Sequence, residues 1–168
     1  MGCDIHEYVE IRPKEKSGEA WELYITPCLH RNYLMFGVFA GVRGESVPLI
    51  EPKGIPGDIG YGVQEDYAIF VYGEEETDDP RYCTKTQAKE WVVSGCSQKL
   101  KDNYISNPDW HTPSWFSLKD IKRVQKRYSE ISEAERFKGS VELDLLVSVM
   151  NHLEHQGYET RFVFWFDN

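Results

Sequence analysis

Between residues 3 and 11 the chain alternates, with Cys3, Ile5, Glu7, Val9 and Ile11 on one side and Asp4, His6, Tyr8 and Glu10 on the other. Such period-two alternation predicts a strand with one largely apolar face and one polar face. Pro13 ends it, residues 14–19 read as a solvated turn, and residues 21–25 return as a second strand, forming an N-terminal hairpin. Asn32 is placed to cap a short helix carrying Tyr33, Phe36, Val38, Phe39 and Val42, with Gly41 near its end. A buried strand would fit the same residues because Gly37 and Gly41 weaken a helix; the helix is the preferred reading.

Residues 44–61 hold Pro48, Pro52, Gly54, Pro56, Gly57 and Gly60 and predict a long ordered loop. Residues 66–72 predict a strand closed by Gly73, residues 74–79 a solvated acidic turn, and Thr84 the cap of a helix running through Val93. Residues 109–115 read as a loop stiffened by Pro113, immediately ahead of a helix. In that helix Leu118, Ile121, Val124, Tyr128 and Ile131 form a stripe, and Ser117 and Asp120 stand at capping-box spacing. Ser140 starts another helix with Leu143, Leu146, Val147, Met150 and Leu153 inside, and Gly157 stops it. The final strand, residues 160–167, is apolar enough to lie centrally in a sheet. The expected fold is therefore α/β of the α+β type, a two-layer mixed sheet with packed helices. One domain spans residues 1–168.

Composition narrows the function classes. The formal charge of −9 disfavours non-specific nucleic-acid binding, because a phosphate backbone is repelled and no basic block counters it. The sequence has no secretory signal and no apolar span long enough for a membrane helix. Cys3, Cys28, Cys83 and Cys96 form no CxxC pair and read as reduced thiols of a cytosolic chain. Met1-Gly2 lacks the serine or threonine expected of a myristoylation signal. Gly54, Gly57, Gly60 and Gly62 do not match a phosphate-binding or dinucleotide fingerprint. Ten tyrosines and five tryptophans fit a core-and-scaffold role, the preferred reading, and would also suit a ring-lined binding site.

The candidate chemistry begins with Asp4 and His6, two apart and so on one face of a strand. If the 109–115 loop lies above them, Asp4, His6 and His111 form a catalytic set. Asp4, His6, Asp109 and His111 would then supply ligands for a divalent metal, Zn, Mn or Fe. Arg31 and Arg43 offer paired donors for an oxyanion. Tyr8, Tyr33, Asp58, Trp110, Ser114 and Trp115 complete the expected ligand-binding set. The bland alternative is that these groups bond to neighbouring loops and fix register.

Met1-Gly2-Cys3-Asp4-Ile5-His6, Arg31-Asn32-Tyr33 with Phe36, Ala40-Gly41-Val42-Arg43, His111 with Ser114-Trp115, and the closing Val163-Phe164-Trp165-Phe166-Asp167-Asn168 resemble a family of uncharacterised bacteriophage and bacterial proteins. The resemblance spans nearly the whole chain and departs most over residues 44–109. It implies a phage or prophage protein acting in the bacterial cytoplasm and brings no activity with it. Without a nucleophile, metal motif or cofactor fingerprint, the favoured reading is a non-catalytic binding protein. It would hold a small anionic ligand or a host protein in a His/Asp/Arg/aromatic pocket. The alternative is a metal-dependent hydrolase of a phosphorylated metabolite or nucleotide.

Overall fold

Phe162, Phe164 and Phe166 alternate with Val163 and Trp165, and all five are buried. A strand apolar on both faces must be covered on both, and that requirement organises the molecule. In the computed structural model, which describes residues 2–44, 47–75, 77–134 and 140–167, this strand is β7 (Tyr158–Phe166). It lies inside an antiparallel sheet ordered β2-β1-β7-β6, with β1 (Ile5–Pro13), β2 (Glu22–Ile25) and β6 (His111–Ser117).

Three helices cover one face: α1 (Tyr33–Ala40), α4 (Leu118–Ala134) and α5 (Val141–His155). Their inner residues join Val9, Phe116, Phe162, Phe164 and Phe166 in one core. The caps form as the sequence predicts. Asn32 accepts the N–H of Met35, and Gly41 closes α1 at φ 70°, a left-handed conformation that favours glycine. Ser140 caps α5 through the N–H of Leu143, and Ser117 and Asp120 exchange bonds ahead of α4.

The other face carries Tyr8, Val163 and Trp165, covered by Val63 and Tyr67 with Ile55, Ile59, Leu100, Trp110 and Trp115. The strand expected over residues 66–72 forms here as β3 (Ala68–Val71), and a short unexpected helix, α2 (Tyr61–Tyr67), precedes it and takes residues 66 and 67. Val63 and Tyr67 stand four apart and bury one helical face, a spacing masked in the sequence by Gly60 and Gly62. A second, mixed sheet is ordered β4-β3-β5, with β4 (Tyr82–Cys83) parallel to β3 and β5 (Tyr104–Ser106) antiparallel. It packs against α3 (Lys85–Ser94), whose capping box joins Thr84 and Gln87. The α/β class holds, with the strands divided between two sheets.

The segment expected as a loop over residues 109–115 is largely strand β6, which runs directly into α4. Pro113 is tolerated because β6 is an edge strand and its register shifts between His111 and Ser114. Thr112 sits in that bulge at φ 50°, strained for a β-branched residue. Of the acidic turn, Glu76 lies outside the described residues, as do Met1 and Asn168 of the opening and closing strings. Cys3, Cys28, Cys83 and Cys96 are free thiols. Among the described residues no helix is long and apolar enough to cross a membrane.

Candidate functional site

Antiparallel pairing of β1 with β7 brings the opening and closing segments of the chain to one end of the main sheet. The Asp167 carboxylate accepts the N–H of Asp4 at 2.9 Å and lies 3.2 Å from His6 Nε2. Burial works against this carboxylate, but the Asp4 N–H and His6 outweigh it and hold its pKa below the ordinary value. The His6 ring is 4.4 Å from Trp110 and stacks at 5.7 Å on Trp165. Beside it the Arg31 guanidinium grips both oxygens of Asp4 at 2.7 Å. These two side chains are 49% and 55% exposed, so water screens the pair. Arg31 also packs on Gly2, where a Cβ would come within 2.6 Å of the guanidinium. Arg43, at φ 56°, bonds to the buried Cys3 thiol, whose pKa burial raises despite that cation.

The expected convergence of His6 with His111 does not occur. His6 pairs with Trp165 and His111 with Phe166, adjacent residues whose side chains leave the sheet on opposite faces. His111 stacks on Phe166 at 5.9 Å and its Nδ1 lies 2.9 Å from Thr112 Oγ1. Its Nε2 is buried with no hydrogen-bond partner among the described residues. The residues of the expected metal set have separate surroundings. Asp4 is engaged by Arg31, His6 by Asp167, and Asp109 is exposed in the turn before β6. Among the described residues no three His, Cys, Asp or Glu side chains gather to hold a metal.

Other expected site residues have structural surroundings. Tyr8 is buried and stacked on Trp165 at 4.9 Å; burial, with the nearby Asp66 charge, raises its pKa. The Ser114 hydroxyl is buried and accepts the N–H of Lys53 at 3.1 Å. Tyr33 lies edge-on to Phe36, and Trp110 donates to the Asp66 carbonyl.

The opposite end of the same sheet holds a denser arrangement. Arg161, 4% exposed, donates to Glu10 Oε2 and to Asp58 Oδ1, both at 2.6 Å, and to the Asp58 carbonyl at 3.0 Å. Glu10 Oε1 accepts the N–H of Gly60 at 2.6 Å, and Trp21 Nε1 donates to Asp58 Oδ2 at 3.0 Å. The guanidinium carbons of Arg12 and Arg161 lie 4.4 and 4.2 Å from the Trp21 ring. Burial raises the pKa of Glu10 even against Arg161. The pKa of Asp58 is lowered, burial being outweighed by Arg161 and Trp21. Gly60 is required by close approach, since a Cβ there would stand 2.4 Å from the Trp21 carbonyl oxygen.

This network forms the floor between two hollows. The larger, about 890 Å³, opens between Arg12, Trp21 and Asp58 on one side and residues 99–102 on the other. The second, about 610 Å³, continues past Asp58 to Lys53, Trp115 and Glu159. Lys53 Nζ sits 4.1 Å from the Trp115 ring centroid and bonds to Asp120. Of the residues expected in a ligand pocket, Asp58 and Trp115 line these hollows. Arg12, Trp21, Glu10 and Arg161 were not foreseen. Their signal was present: Glu10 is polar on the outer face of β1, and Arg161 is a cation at the entry of an apolar strand, which demands a partner. Asp167 was also missed, although it follows that strand directly. Comparison with family profiles, with curated proteins and with solved structures gives no match.

Proposed function

We propose that this is a non-catalytic binding protein that takes a small anionic ligand into the hollow over Trp21 and Asp58, and that it is a phage-encoded protein of the bacterial cytoplasm. One observation carries the reading. Asp58 is pinned by Arg161 and Trp21, yet its side chain remains 61% exposed at the floor of an 890 Å³ cavity. Polar groups fixed before a ligand arrives lower the ordering cost of binding, and the volume is that of a small-molecule site. Lys99 and Lys101 on the facing wall, with Arg12, supply attraction for a negative group. Glu19 and Asp102 at the rim accept hydrogen bonds from the ligand's donors. A hydrolase centred on His6 and His111 would need both on one face of the sheet, and they stand on opposite faces.

The test is a titration of the isotope-labelled full chain with inorganic phosphate, citrate and adenosine monophosphate in turn. Saturable shifts at the Trp21 indole N–H and the Gly57 and Gly60 amides are expected with at least one probe, weakened about tenfold or more by Lys101→Glu. Shifts confined to residues elsewhere, or none with any probe, overturn the proposal.

A further inference from the structure

The second sheet carries a hollow of different character. A groove of about 480 Å³ runs between α3 and β5, walled by Val71, Ala88, Val92, Leu100 and Ile105. Its charged wall residues are Lys85, Lys89 and Lys99; among the described residues no acid lines it, in a chain whose net charge is −9. Val93 at its lip is 79% exposed. Lys85 lies 3.6 Å from Glu74 across the rim, with both side chains well exposed.

Helix α3 is charged against its own dipole. Lys85 is its first residue and Lys89 stands one turn on, with no acid in the first turn and no base in the last. Cations near a helix N-terminus lose the dipole's favour, and like charges four apart repel, each effect being worth a few tenths of a kcal/mol. The exposed Lys85–Glu74 pair, screened by water, offsets little of this cost. A bound anion beside it would gain from both lysines and the helix N-terminus together.

We propose that this groove is a second binding site, for an aliphatic anion such as a medium-chain carboxylate. The tail lies along Val92, Leu100 and Ile105, and the carboxylate pairs with Lys85 and Lys89. The aliphatic stems of the lysines extend the apolar wall while their ammonium groups stay in water. The volume matches a small molecule, and the lysines select the sign of its charge. The site stands apart from the hollow over Trp21, from which residues 99–100 divide it.

The experiment titrates the full chain with octanoate, 1-octanol and octyltrimethylammonium, read by amide shifts and calorimetry. Octanoate is expected to saturate one site, shifting Val71, Val92 and Ile105, and to bind at least tenfold more tightly than octanol. Octyltrimethylammonium should bind more weakly than either. The double variant Lys85→Met, Lys89→Met should reduce octanoate affinity to that of octanol, with the helical signal retained. If that variant fails to fold, the octanoate-to-octanol ratio of the native chain decides alone. Equal binding of octanoate and octanol, no saturable binding, or octanoate shifts at Trp21 and Gly57 instead overturn the proposal. A peptide-binding groove would appear as the second of these.

Discussion

Glu7 and Glu10 stand three apart on β1, on opposite faces of the sheet, and both are buried. Each accepts a loop N–H at 2.6 Å: Glu7 from Leu29, ahead of Arg31, and Glu10 from Gly60, behind Asp58. Their second oxygens differ. Glu10 Oε2 receives Arg161, whereas Glu7 Oε2 has no hydrogen-bond partner among the described residues. Burial raises the Glu7 pKa to about 7 despite the Leu29 N–H. One end of the sheet thus neutralises its anchoring carboxylate with a guanidinium and the other with a proton. The first anchor is fixed by geometry; the second responds to pH.

Removing the guanidinium should have the largest effect. Arg161→Leu leaves Glu10, 0% exposed, without its cation and leaves Asp58 to Trp21 and Arg12. Breaking a buried ion pair from one side costs about 3–5 kcal/mol, measurable by urea denaturation. Adding Glu10→Gln should recover part of that loss, because the neutral amide still accepts the Gly60 N–H without a buried charge. A single variant as stable as the native chain would show that the network contributes nothing.

The proton-neutralised end predicts the next effect. Glu7 moves from an ordinary 4.5 to about 7 on folding. Between those values the folded protein holds a proton that the unfolded chain has released, so stability falls as pH rises through this window and stays lower above it. The full effect is about 3 kcal/mol. Glu7→Gln should match the native chain near pH 5 and exceed its stability at pH 8 by up to that amount (pH values being about those limits). Parallel stability–pH curves for the two proteins would contradict the assignment.

The legibility of the chain follows the same division. Helices α1, α3, α4 and α5 announced themselves through caps, Asn32, Thr84, Ser117 and Ser140, because capping is a local bond between neighbours. Strands β1 and β7 were legible through alternation and apolarity. Helix α2 and strands β4 and β5 were not, being short and held by contacts distant in sequence. The relation of His6 to His111 was not legible, because a register decides it. Whether His111 faces His6 depends on its pairing opposite Phe166, and a one-residue slip would reverse the answer. Asp58 was visible as a loop carboxylate, but its partner Arg161 lies 103 residues away.

Asp58 gives the third test. Asp58→Ala removes acceptors from Arg161 and Trp21 while Glu10 still neutralises Arg161. The expected loss is about 1–2 kcal/mol, below that of Arg161→Leu. Faster hydrogen exchange at the Gly60 amide should accompany it, since the loop is then held chiefly by Glu10. A loss equal to that of Arg161→Leu would mean that Asp58, and not Glu10, is the principal partner.

Arg31→Ala should have the smallest effect on stability despite its bidentate geometry, because both partners are about half exposed and water already screens their charges. The denaturation midpoint should stay within error of the native value. A chain unfolded by so exposed a change would show the His6–Asp167 end to be as tightly built as the Arg161 end, and the contrast between them would fail. If the midpoint holds and adenosine monophosphate still shifts the Trp21 indole, the ligand-bearing end is the one with the buried guanidinium.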